Sequence, residues 1–68
     1  MDIEKIREKL TNGFHKFTLC LSDGRRLSVP HPDFIAVSRK VVVVIDKSER
    51  VHTISPLHIV SIEEAAPK

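Results

Sequence analysis

Four histidines, one cysteine and nine acidic residues carry most of the reactive chemistry this 68-residue chain has to offer. His15, His31, His52 and His58 lie 16, 21 and 6 residues apart, with no close pair on one helix and no paired cysteine motif. A structural zinc site draws together four ligands, usually in closely spaced pairs, so this spacing assigns no metal. His31 and Asp33 flank Pro32, whose ring stiffens the backbone between them. His31 and His58 are expected to bond backbone groups at turns, and His52 to occupy an outward strand face. Cys20 alternates out of phase with Phe17, Leu19 and Leu21, which leaves it facing solvent or lying beneath a helix. Nothing in its surroundings favours the reactive thiolate. Asp23, Asp33, Asp46 and Glu49 fall in predicted turns, where acidic residues serve the backbone. Gly13 and Gly24 suit a helix stop and a tight turn and form no phosphate-cradling loop. The sequence assigns no catalytic residue, no cofactor and no metal, and predicts a protein that is not an enzyme.

Two other groups bear on binding. Arg25-Arg26 and Arg39-Lys40 sit at predicted turns and form the candidate nucleic-acid-binding set. Joined by Lys47 or Arg50 they would make an anion-binding patch, whose affinity would fall steeply with salt. The competing reading is that turns carry charge for solubility and that basic residues block strand edges. Pro30-His31-Pro32-Asp33-Phe34 combines rigid prolines, a polar ring and an aromatic, and is the candidate protein-binding surface.

Composition narrows the classes further. Hydrophobic residues make up 41% and charged residues 29%, the balance of a globular domain and too apolar for disorder. The formal charge is +2, and residues 14–62 hold seven basic against four acidic side chains, or +3. That is mildly basic and well short of a polybasic nucleic-acid footprint. Three phenylalanines with no Trp or Tyr argue against a base-stacking platform. A lone cysteine forms no internal disulfide, which fits a cytoplasmic protein. The opening residues, with Asp2 and Glu4, do not read as a signal peptide. The longest apolar run, residues 41–45, is too short to cross a membrane.

The elements that must position these residues can be read in order. Residues 2–12 predict a helix capped by Asp2, with Ile3, Ile6 and Leu10 on one apolar stripe and Asn12-Gly13 as its stop. Such a short helix is marginal alone and must lay its stripe on an apolar surface. From Phe14 onward the pattern is β. Phe17, Leu19 and Leu21 alternate with polar neighbours, and Leu27 and Val29 continue the phase after Ser22-Asp23-Gly24. Side-chain phase selects a three-residue loop with left-handed Gly24, setting Leu21 opposite Arg25, Leu19 opposite Leu27 and Phe17 opposite Val29. Pro30 and Pro32 mark a bend or an edge. Strands are further predicted near residues 41–45, 50–54 and 58–62, with residues 34–38 as an optional short strand not counted among the five and residues 63–68 as a frayed tail. The valine run is expected to be covered on both faces.

Short strands and tight turns within one small domain predict an α+β, mainly β fold. It is expected to have an N-terminal helix at residues 2–12 and a five-stranded antiparallel SH3-like or Sm-like small barrel over residues 14–62. Phe17-Thr18-Leu19-Cys20-Leu21-Ser22-Asp23-Gly24-Arg25 resembles the opening of Sm-like and other SH3-like barrels, where an alternating strand meets an Asp-Gly turn. Val29-Pro30 stands where the Sm pattern has its mid-strand glycine, Val37 where its second RNA-binding residue would fall, and Leu57 before His58 where the bacterial Sm-like chaperones have lysine. The resemblance thus implies the barrel and not uridine binding. The chain also resembles a group of small bacterial proteins through Leu21-Ser22-Asp23-Gly24-Arg25, Val29-Pro30-His31-Pro32-Asp33 and Leu57-His58-Ile59. That resemblance implies a fold and a bacterial origin, and no reaction.

The function these readings predict is a non-catalytic interaction module, monomeric, binding a protein or peptide. The alternative is a weak, sequence-independent RNA- or DNA-binding barrel.

Overall fold

The computed structural model describes residues 1–11 and 13–64. Helix α1 spans Ile3–Thr11, and the strands are β1 Phe17–Leu21, β2 Arg26–Val29, β3 Ile35–Val37, β4 Val42–Ile45, β5 Val51–Ile54 and β6 Ile59–Glu64. Two single-turn 3-10 helices, Pro32–Phe34 and Pro56–His58, precede β3 and β6. The Asp2 carboxylate accepts the Glu4 amide at 3.0 Å and so caps α1 as its sequence suggests. Gly13, beyond the helix, has φ +75°; Asn12 lies outside the described residues.

The strands form two antiparallel three-stranded sheets, ordered β2-β1-β6 and β3-β4-β5. The expected five-stranded small barrel, closed or nearly closed, is not what the chain builds. Pro30 and Pro32 lack the amide hydrogens that a continuous strand would donate, and the turn Pro32–Phe34 sends β2 and β3 into different sheets. Ile35–Val37 then counts as a full strand on β4, giving six.

The first hairpin has the register derived from phase, with Phe17 opposite Val29 and Leu19 opposite Leu27. Leu21 N donates to Arg25 O at 2.8 Å, and Gly24 takes φ +91°. On the other side of β1, a bulge at Val60 shifts the register between Cys20 and Leu21. The extra residue re-phases β6, so that Ile59 is buried and Ile62 packs against the core although they are three residues apart.

The apolar faces of both sheets meet in one core. Phe17, Leu19, Leu21, Leu27, Val29 and Ile59 come from the first sheet, and Val42, Val44 and Ile54 from the second. Ile6 is the one fully buried residue of α1, with Ile3 and Leu10 packed partly against the same core. Each such aliphatic side chain contributes about 1.5–3 kcal/mol on burial.

Three expectations need correction. The valine run is covered on one face only: Val42 and Val44 are fully buried, while Val43 and Ile45 are half-buried on the outer face beside Val51, which is 64% exposed. A single short helix has no surface left for that side once its stripe lies on the core. Glu63 and Glu64 do not fray; they lie in β6 opposite Thr18 and Phe17, paired with Arg26 and Lys9 respectively, and residues 65–68 lie outside the described residues. His52 is not on the outward face. It pairs with Val44 and shares the inward phase of buried Ile54, at the rim of the core. No helix of the described residues is long and apolar enough to cross a membrane.

Candidate functional site

The basic candidates separate into three hollows. Arg25 Nε donates to Asp23 Oδ2 at 2.7 Å, and the Arg25 amide donates to Asp23 Oδ1 at 3.0 Å. That amide, followed by the guanidinium, holds the Asp23 carboxyl below its usual range. Arg26, on the opposite face of β2, pairs with Glu63. Both arginines are therefore matched locally. Arg39 and Lys40 occupy the turn between β3 and β4 and have no ion pair among the described residues.

Arg25 lines a cleft of about 250 Å³ with Ser22, Thr53, Ser55 and His58. Ser22 Oγ lies 3.1 Å from His58 Nδ1, and Ser22 N donates to His58 O at 2.7 Å. His58 thus meets a hydroxyl with its ring and a backbone amide with its carbonyl, where a ring-to-backbone bond was expected. A hydroxyl beside an imidazole is the nucleophile–base pair of a three-membered catalytic arrangement. The third member is lacking among the described residues: no carboxylate orients His58, and both Asp23 oxygens are engaged by Arg25.

Arg26 lines a second hollow of about 380 Å³ with Ser28, Asp46, Lys47 and His52. His52 Nε2 donates to Asp46 Oδ2 at 2.8 Å, and Asp46 Oδ1 accepts the Ser48 and Arg50 amides at 2.8 and 3.1 Å. His52, then the Arg50 amide, pull the Asp46 carboxyl below its ordinary value. This carboxylate is fully employed in closing the β4–β5 turn. Cys20, half-buried on the outer face of β1, donates to Glu63 Oε1 at 3.3 Å. Among the described residues no three His, Cys, Asp or Glu side chains gather as a metal site would require.

Residues 30–34 form the ordered link between the sheets. His31 caps the 3-10 turn, its Nδ1 accepting the Asp33 amide at 3.2 Å, the backbone role expected of it. Its ring stands 6.3 Å from that of Phe34. Pro30 and Phe34 are half-buried, and His31, Pro32 and Asp33 are exposed. The segment lines none of the three clefts.

A third concavity, about 640 Å³ and larger than the other two, was not foreseen from the sequence. Its walls are the start of α1 (Asp2, Ile3, Glu4, Arg7), the β3–β4 turn (Arg39, Lys40) and the turn before β6 (Pro56, Leu57). Leu57 is 86% exposed, the most exposed large apolar side chain among the described residues. Pro56 beneath it is buried. The only signal in the sequence was Leu57 itself, an apolar residue inside an otherwise polar turn.

No protein-family model matches the chain, no curated protein matches it, and no solved structure matches it.

Proposed function

We propose that the chain is a non-catalytic interaction module that docks a segment of another protein in the 640 Å³ cleft between α1, the β3–β4 turn and the turn before β6. The observation that carries this reading is the cleft's composition: an exposed Leu57 over buried Pro56 and half-buried Ile3, edged by two cations with no ion pair among the described residues. Binding sites of this kind pair a mostly apolar floor with a few polar groups that fix orientation. The cleft is preferred to the Pro30–Phe34 surface because it is concave and that surface lines none of the three clefts among the described residues. Kinship with the Sm-like and SH3-like proteins is part of the proposal and rests on the Phe17–Leu21 strand meeting the Asp23-Gly24 turn. A monomer in the cytoplasm, with Cys20 reduced, completes the reading.

The test is selection of displayed twelve-residue peptides on the immobilised chain, followed by titration of the winners into isotope-labelled protein. Amide signals of Ile3, Lys40 and Leu57 should move together. Signals moving only around Pro32–Phe34 would shift the site to the link between sheets. RNA and DNA titrations at low salt should be flat; binding that weakens uniformly when Arg25 and Arg26 are neutralised would establish the nucleic-acid reading instead.

A further inference from the structure

From the charge and rigidity of the same cleft we infer the chemical class of its ligand: an extended segment that places carboxylates beside an aliphatic anchor. This rests on the docking reading above. The side chains lining the cleft sum to a net positive charge, with Arg7, Arg39 and Lys40 against Asp2 and Glu4. Arg7 lies 3.6 Å from Glu4 and is balanced by it, and the Asp2 carboxylate is engaged in capping α1. Arg39 and Lys40 are left without a carboxylate partner among the described residues. An incoming acidic group would satisfy both, whereas an incoming basic group would meet them as like charges.

The two contact points are also held rigidly. Ser38 closes the turn that carries the cations: its amide and its hydroxyl both donate to Val41 O, at 2.9 and 3.1 Å, and its Oγ accepts the Val41 amide at 3.1 Å. Across the cleft Ser55 closes the turn that carries Leu57. Ser55 Oγ accepts the Leu57 amide at 3.3 Å and Ser55 O accepts the His58 amide at 2.9 Å, with Pro56 fixing the backbone between. Two serine-closed turns thus present a basic tip and an aliphatic side chain to one hollow. A ligand matching both pays little to order the protein side of the contact.

The test compares three blocked twelve-residue peptides of equal length and leucine content, with Glu, Gln or Lys at the polar positions, titrated into labelled protein at low salt. The Glu-Leu peptide should bind about tenfold more tightly than the Lys-Leu peptide, the size two exposed ion pairs supply, with Gln-Leu between. In the Arg39→Glu/Lys40→Glu variant the order should reverse while the melting temperature stays unchanged. Leu57→Ala should weaken Glu-Leu and Lys-Leu alike and leave their ratio intact. Equal binding of all three at this cleft, or an order unchanged in the double variant, overturns the charge assignment and leaves the docking reading standing. Silence with every peptide, displayed or designed, overturns both. Polyuridine displacing the Glu-Leu peptide, with tighter binding of its own, overturns both in favour of a nucleic acid.

Discussion

Asp46 accepts three hydrogen bonds, from the Ser48 and Arg50 amides and from His52, and so fastens the β4–β5 turn to the rim of the core. Its carboxyl is held below the ordinary value of 3.8, chiefly by His52. A depressed folded value means that the charged form stabilises the native state. The contribution is complete above the ordinary value and is lost as pH falls below 3.8 through the folded one. Asp23 and Glu64 shift the same way, through the Arg25 amide and Lys9 respectively. Urea denaturation should therefore show stability falling on acidification from pH 5 to about 3, the range where carboxylates titrate, and Asp46→Asn should reduce that fall while lowering stability at neutral pH. In the same turn Glu49 adopts φ +62°, a left-handed conformation that costs a side-chain-bearing residue about 1 kcal/mol. Glu49→Gly should raise the melting temperature. Gly24→Ala should do the reverse, costing about 1 kcal/mol or more. A Cβ there would meet nothing within 4 Å, so the cost is backbone strain alone. Gly24 was legible because a three-residue hairpin loop demands its conformation. The inward phase of His52 was not, because Val51-His52-Thr53-Ile54 puts an apolar residue on each face and only the partner at Asp46 decides between them.

Among the elements, α1 shows how far a stripe can be read. Ile3, Ile6 and Leu10 all turn to the core, yet only Ile6 is completely buried. Ile6→Ala should cost about 2–5 kcal/mol, the range for a buried aliphatic, and Leu10→Ala clearly less. Thermal melts of the two variants decide this; equal losses would mean that the helix seats differently. Strand β4 was legible from its β-branched residues, but its coverage was not. A run apolar at every position has no alternation from which to tell one buried face from two. Since Val51 lies exposed opposite Ile45, Val51→Thr should change stability by no more than about 0.5 kcal/mol while lowering any tendency to aggregate, measured by light scattering on heating.

On the scale of the whole molecule, the helix, the mainly β character and the first hairpin register follow from spacing alone, because each depends on neighbours a few residues away. Closure of the sheet does not. It depends on whether the chain carries ladder hydrogen bonds past Pro30 and Pro32, and the two prolines resolve it towards two sheets. The main cleft escaped the sequence for a related reason: its walls are residues near 3, 40 and 57, brought together only by the finished fold.

That three-walled construction reaches beyond recognition. Helix α1 is nine residues long and tied to the body through one fully buried side chain, Ile6, with Ile3 and Leu10 packed only partly and the Lys9–Glu64 pair at the surface, so it should open before the sheets do. On the docking reading proposed above, a ligand lodged between it and the two serine-closed turns is bound only while α1 is seated. By mass action, ligand at a hundred times its dissociation constant opposes that opening by about 2.7 kcal/mol. Amide hydrogens of α1 should then exchange with deuterated solvent about a hundredfold more slowly, while those of β1, already limited by global unfolding, slow only as far as the whole protein is stabilised. The helix is in that sense the molecule's own reporter, able to register a fitting partner before its identity is known.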